Sequence, residues 1–130
     1  VTEARLFVYG SLMAGLRYAH LMAGATFAGP TATREPYTLF DLGPYPAASP
    51  GGSSVLQGEV YVVDEKTLAQ VDRLEGHPDL YERHQRPLSD GSSAWLYEAQ
   101  IQRWEPGALD GRPVVPAGDW RAWLDGRQAT

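Results

Sequence analysis

Glu75 stands where the periodicity of its surroundings asks for an apolar residue. Between Asp64 and Pro78, Leu68, Val71 and Leu74 recur at helical spacing, and Glu75 lies four residues after Val71 and seven after Leu68, on the same stripe. Asp64 is placed to cap this helix, and Gly76 followed by Pro78 stops it. Glu75 therefore falls in the last turn, where the helix dipole disfavours an anion. Burial and dipole both raise a carboxyl pKa. A carboxyl poised near neutrality can take and return a proton at physiological pH, as a general acid/base must. The other outcomes open to it are to reach solvent from the helix end or to pair with an arginine. A second candidate chemistry lies at Tyr9-Gly10-Ser11-Leu12. A glycine-containing turn leaving a strand can aim several main-chain N–H groups at one point, which suits a carboxylate or a developing oxyanion. It can equally be an ordinary strand-to-loop turn.

Other chemistries lack their residues. Gly10 and Gly15 have the spacing of a phosphate loop, but Leu16-Arg17 follows where that motif needs a lysine and a hydroxyl residue. His20, His77 and His84 fall at no ligand spacing, and with no cysteine in the chain there is neither a thiolate metal site nor a thiol nucleophile. No metal site is expected. Ser11 follows a strand but lacks the Gly-x-Ser-x-Gly context of a serine hydrolase.

The net charge of −5 argues against a sequence-independent grip on nucleic acid, which needs a basic stripe, so a small-molecule partner is expected. The ten arginines are scattered, which reads as solvated surface with one or two site residues at most. No apolar run approaches the roughly 20 residues of a membrane span. Arg5 to Tyr9 reads as a strand rather than as part of a secretory leader, and the expected location is cytoplasmic. At 130 residues without an internal repeat or linker, the expectation is one domain over residues 1–130.

The elements that must position these groups are mostly strands. Arg5 to Tyr9 is a short buried strand; a glycine-broken loop follows, and Leu16 to Ala23 reads as helix-like. Strands are expected around Phe27, over Tyr37 to Asp41, and over Val55 to Val63, where apolar and polar residues alternate. Gly43 to Gly52 is so rich in proline and glycine that it predicts a surface loop. Leu80 to Leu88 and Ala94 to Arg103 flank the hairpin signal Ser89-Asp90-Gly91-Ser92. Trp95, Tyr97, Ala99 and Ile101 then share one face, and Pro87 sits at a strand end, where its missing donor matters least. Near the C-terminus, Asp119 can cap a short helix with Trp120, Trp123 and Leu124 on its apolar side. The fold class is α+β, a mixed sheet or small β-barrel with a few short helices.

Taken together, Tyr9-Gly10-Ser11-Leu12 after the first strand and Val71-Asp72-Arg73-Leu74-Glu75-Gly76 with Pro78 and Tyr81 resemble the γ-glutamylcyclotransferase family, in its small bacterial AIG2-like branch. The likeness extends to Gly58-Glu59-Val60-Tyr61, to Tyr45-Pro46-Ala47 and to Val115-Pro116-Ala117-Gly118-Asp119-Trp120, and so spans most of the chain. Val71 stands where the family usually has leucine. The resemblance implies a small barrel with a pocket floored by the Tyr9–Leu12 loop and Glu75. It also implies intramolecular aminolysis: the α-amine of a γ-glutamyl amide attacks its own side-chain carbonyl, closing 5-oxoproline and releasing the amine, without metal or cofactor. Glu75 would accept a proton from the α-ammonium and deliver one to the departing nitrogen, a role worth about 10²–10⁴ in rate. The N–H groups of Gly10, Ser11 and Leu12 would hold the glutamyl carboxylate or the tetrahedral oxygen. Tyr9, Tyr81 and Tyr97 would line the pocket, with Gly43 to Gly52 and the C-terminal tail shaping its far end. The alternatives are a non-catalytic module that binds small metabolites on the same fold, and a protein-interaction role for the C-terminal aromatics.

Overall fold

The computed structural model describes residues 3–128. Six strands form one curled sheet: β1 (Glu3–Val8), β2 (Thr26–Asp41), β3 (Pro46–Pro50), β4 (Ser54–Asp64), β5 (Tyr81–Pro87) and β6 (Ser93–Ala99). Two α-helices, α1 (Glu65–Glu75) and α2 (Trp120–Gln128), accompany them. The spatial order is β3-β2-β4-β1-β6-β5. β1 pairs antiparallel with β4, from Glu3↔Asp64 to Val8↔Glu59, and parallel with β6 at Leu6↔Trp95. A central strand covered on both faces needs a continuous apolar run, which is what Leu6-Phe7-Val8 supplies. The sheet curls into a half-barrel: the Ser89 N–H donates to the Ala32 carbonyl at 2.9 Å, and Thr33 bridges Leu88, so the far end of β5 returns to β2. The expected α+β class, a mixed sheet or small β-barrel with a few short helices, is thus observed in the form of a half-barrel.

Four segments differ from expectation. The strands read around Phe27 and Tyr37 are one 16-residue strand, kept continuous by register shifts between Phe27 and Gly29 and between Ala32 and Pro36. Such bulges absorb residues that cannot donate to a ladder and bend the strand around the barrel. The proline- and glycine-rich stretch Gly43 to Gly52 is not merely a surface loop. Its centre is β3, an edge strand paired with β2 from Asp41↔Pro46 to Tyr37↔Pro50, with Ala47 and Ala48 fully buried. Both prolines of β3 lie at its ends, and an edge strand needs donors on one side only.

Leu16 to Ala23 yields only a 3₁₀ turn over Ala19–Met22. The bonds that would extend it into a helix are spent elsewhere. The Tyr18 N–H reaches back to the Ser11 carbonyl at 2.8 Å, while the Leu16 and Tyr18 carbonyls accept the Ala19 and Leu21 N–H groups in i→i+3 bonds, each at 3.1 Å. Similarly, β6 ends at Ala99, and Ile101 lies in a 3₁₀ turn (Ile101–Arg103) rather than on the strand face with Trp95 and Tyr97. The Gln100 N–H still donates to the Leu80 carbonyl opposite it at 2.9 Å, but the Gln100 carbonyl turns to accept the Arg103 N–H at 2.8 Å and closes the 3₁₀ turn.

The locally signalled features are all present. Asp64 Oδ1 accepts the Thr67 N–H at 2.7 Å and caps α1, and Gly76 ends it in the left-handed conformation at φ 66°. The β5–β6 turn is held by Asp90 Oδ1, which accepts from the Ser92 N–H and hydroxyl at 2.9 and 2.6 Å, with Pro87 as the last residue of β5. Asp119 Oδ1 accepts the Ala122 N–H at 3.0 Å at the start of α2, whose Trp120 is fully buried. The tail before α2 lies along β2: the Val115 N–H donates to the Leu39 carbonyl at 2.7 Å and the Asp41 N–H to the Pro113 carbonyl at 2.9 Å. No helix among the described residues is long and apolar enough to cross a membrane.

Candidate active site

The cleft forms where the end of β1, the end of α1 and the start of β3 meet. α1 is anchored by Val71, which is fully buried, so the last turn of the helix is fixed against the sheet and carries Glu75 into the protein. Leu74, expected on the same buried stripe, instead lies at the edge of the cleft and is exposed. β1 leads into Gly10, and here the absence of a side chain matters. A Cβ on Gly10 would sit 2.8 Å from Cγ and Cδ of Pro46, so only glycine lets the loop lie against the start of β3. The cavity so enclosed has a volume of about 230 Å³. Tyr9, Gly10, Ser11, Leu12, Glu75, Tyr81 and Tyr97 all line it. Residues separated by up to 88 positions are thus brought to one hollow, with Tyr9 donating through Oη to the Tyr97 carbonyl at 2.6 Å.

Glu75 does neither of the ordinary things open to a carboxylate at a helix end. It does not stand free in bulk solvent, and among the described residues no hydrogen bond or ion pair reaches its carboxyl. Burial pushes its pKa up to about 7, because the charged form loses hydration that no protein group replaces. Desolvation alone accounts for the rise.

Opposite this acid, the main chain at Gly10, Ser11 and Leu12 offers donors. No acceptor among the described residues takes any of the three N–H groups. The turn around them is nevertheless tightly held. The Met13 N–H donates to the Gly10 carbonyl at 3.1 Å, and Ala14 is gripped at both polar groups. Its N–H donates to Glu59 Oε1 at 2.9 Å, its carbonyl accepts from Arg121, and Arg121 Nη2 pairs with Glu59 Oε2 at 3.0 Å. Adjacent unpaired main-chain donors on a loop clamped from behind are the elements from which anion-binding concavities are built.

The tyrosines wall the site with phenols that are already committed. Tyr81 Oη donates to the Pro46 carbonyl at 3.0 Å, which ties β5 to β3 across the cleft. Tyr97 Oη donates to Asp72 Oδ1 at 2.5 Å, one turn before Glu75 on α1. Burial, then the neighbouring acids, hold the pKa values of Tyr9, Tyr81 and Tyr97 well above the usual phenol value, so all three remain neutral. Burial also pushes the Asp72 carboxyl up, but hydrogen bonds from Arg83 and Tyr97 outweigh it and leave Asp72 below the usual carboxylate range. Two acids three residues apart on one helix therefore have opposite characters.

Residues 6–122 match the protein family described as gamma-glutamyl cyclotransferase, AIG2-like. The chain belongs to this family. It is 38% identical over 116 residues to the gamma-glutamylcyclotransferase family protein YtfP of Escherichia coli strain K12, covering 89% of this chain and 95% of that one. The solution structure of ytfP from Escherichia coli superposes with a TM-score of 0.65 at 38% identity, over 89% of this chain and 95% of that one. An AIG2-like protein from Mus musculus is similar with a TM-score of 0.79 at 26% identity, over 92% of this chain and 90% of that one.

Within this γ-glutamyl cyclotransferase-like cleft, several lining residues escape a reading of the sequence as candidate site residues. Tyr45 and Pro46 lie in the stretch expected to shape the far end of the pocket, yet their proline-rich context hides the edge strand that places them. Leu74 and Leu80 flank Glu75 and Tyr81 in the chain, and adjacency was the only signal available. Tyr18 had none, since it reaches the cleft only through the turn that bonds its N–H to Ser11. No arginine, lysine or histidine among the described residues lines the cavity. Arg83, Arg86, Arg121 and Arg127 instead pair with Asp72, Glu98, Glu59 and Asp41.

Proposed function

We propose that this protein is a γ-glutamylcyclotransferase-type enzyme that converts a small-molecule γ-glutamyl amide to 5-oxoproline and a free amine, with Glu75 as general acid/base. The observation that carries the reading is an unpaired carboxyl with a pKa near 7 sharing a cavity with three unpaired main-chain donors.

In this reaction the substrate's α-ammonium first loses a proton to solvent. Its nitrogen attacks the side-chain carbonyl carbon, closing a five-membered ring, and the second proton passes to the Glu75 carboxylate. The carbonyl oxygen becomes an oxyanion. As it collapses, the bond from carbon to the amide nitrogen breaks, and Glu75 returns its proton to that nitrogen. Nucleophile and electrophile are already tethered, so the protein's task is to fold the glutamyl chain into an attack-ready conformer and move one proton. A pKa near 7 suits a group that must be a base in the first half and an acid in the second. The N–H groups of Gly10, Ser11 and Leu12 are assigned to the glutamyl carboxylate and the oxyanion, where charge-assisted bonds to preorganised donors are strongest. The tyrosine walls exclude water that would otherwise compete for those donors.

The test is release of 5-oxoproline from γ-glutamyl amides by the wild-type protein and by Glu75→Gln. The variant keeps the shape of the side chain and removes its titration. Retention of the circular dichroism spectrum with loss of turnover is the expected result, and undiminished turnover removes Glu75 from the chemistry. A protein that binds these amides in a calorimeter but yields no 5-oxoproline is a binding module instead.

A further inference from the structure

We propose that the mouth of the cavity selects γ-glutamyl amides whose amine half is uncharged and apolar, an alkyl or arylalkyl amine, over amides whose amine half carries an ammonium or a carboxylate. This inference rests on the cyclisation reading and concerns the part of the substrate which that reading leaves open. Glu75 and the donors of Gly10, Ser11 and Leu12 account for the charged groups of the glutamyl half. The substituent on the departing nitrogen must then lie along the remaining walls and the opening.

Three residues line the cavity while remaining open to solvent: Tyr45 at 41% exposure, Leu74 at 40% and Leu80 at 55%. Among the described residues only two other large apolar side chains, Phe27 and Val114, are as exposed, so apolar exposure is concentrated at this one opening. Scattered exposed leucines need no explanation, but a cluster edging a cleft marks a surface that a ligand covers. An alkyl chain laid over Leu74 and Leu80 removes apolar area from water on both partners.

The charges point the same way. With no cation among the cavity's lining residues, a carboxylate on the amine half finds no counter-charge there. Among the described residues Glu75 is the single carboxylic acid in the lining and is committed to the proton, so an ammonium finds no spare carboxylate. Either charge would shed water beside leucine without compensation. Among the described residues two guanidinium groups lie against lining residues: Arg83, beside the Tyr97 phenol, is taken up by Asp72, which leaves Arg17, 5.8 Å from the ring centroid of Tyr18. It is the group that would have to serve an anionic amine half.

Four γ-glutamyl amides of similar length test the proposal: the butylamide, the phenethylamide, the 4-aminobutylamide and the 3-carboxypropylamide, with 5-oxoproline release as the readout. The expected kcat/KM for the two apolar amides exceeds that for the two charged ones by about tenfold or more. From methylamide to butylamide it rises by about two- to fourfold per methylene. Leu80→Glu should narrow the preference for butylamide over 4-aminobutylamide by about tenfold, while Arg17→Ala leaves the ratio of butylamide to 3-carboxypropylamide unchanged. Equal or faster turnover of a charged amide overturns the proposal and leaves the cyclisation reading intact. Release from none of the four overturns the cyclisation reading. Calorimetric titration of the same amides then decides the selectivity of the mouth alone: tighter binding of the apolar pair upholds it, and equal or tighter binding of a charged one overturns it.

Discussion

Glu98 on β6 is only 5% exposed and receives three hydrogen bonds, from Tyr37 Oη at 2.6 Å and from Arg86 Nε and Nη2 at 2.6 and 2.8 Å. Glu75 at the end of α1 is less deeply covered and receives none among the described residues. Depth alone would single out Glu98 as the acid cut off from water. The difference lies in what replaces water. Around Glu98 a guanidinium and a phenol restore the lost hydration, whereas around Glu75 no group of the described residues does so. A satisfied acid stabilises structure, and an unsatisfied one facing a cavity holds interaction energy in reserve for a ligand.

The sharpest test of this contrast is to remove each acid and read both rate and stability. Glu75→Gln should lower kcat/KM by about 10²–10⁴ while the protein stays folded. Glu98→Ala should do the reverse. It strands the part-exposed Arg86 and costs about 3 kcal/mol of stability in chemical denaturation, with kcat per folded molecule held within about twofold. If Glu98→Ala silences the enzyme without destabilising it, the division of roles between the two acids is wrong.

A third measurement exploits the raised pKa. The native state holds the Glu75 proton up to about pH 7, whereas the ordinary value is 4.5. Between these values the folded protein binds a proton that the unfolded chain has already lost. The associated stability is therefore full below about pH 4.5 and is lost as pH rises through about 7. Glu75→Gln has no such loss. Its stability in thermal unfolding should match that of wild type near pH 4 and exceed it at pH 8, by on the order of 3 kcal/mol. Parallel pH profiles for the two proteins would show that Glu75 is hydrated in the folded state.

The smallest expected effect concerns the donors opposite. Arg121 lies outside the cavity lining and holds the Ala14 carbonyl and Glu59 from behind. Arg121→Ala should loosen the loop carrying Gly10 to Leu12 and lower kcat/KM by about tenfold through misplacement of those donors. The pKa read from the acidic limb of the rate profile should stay unchanged, since Glu75 is untouched. A shifted limb would mean that the loop and the acid are not separate parts.

What the sequence determined by itself was whatever depends on neighbours a few residues away. The Asp64 and Asp119 caps, the left-handed stop at Gly76, the Asp90–Ser92 turn and the stripe that carries Glu75 inward follow from side chains acting on their own backbone. The motif pair of Tyr9–Leu12 and Glu75 was legible as well, because residue types at fixed spacing recur within a family. Tertiary structure alone decided the remainder. Pro46–Pro50 is a strand because β2 offers it an edge, and Leu16–Ala23 forms turns in place of a helix where the Tyr18 N–H is drawn back to the Ser11 carbonyl on the loop that Arg121 and Glu59 clamp. Nor does any local pattern say whether a carboxyl at a helix end will find a partner. That depends on which groups arrive from distant parts of the chain: among the described residues no donor reaches Glu75, while Arg83, Arg86, Arg121 and Arg127 meet Asp72, Glu98, Glu59 and Asp41.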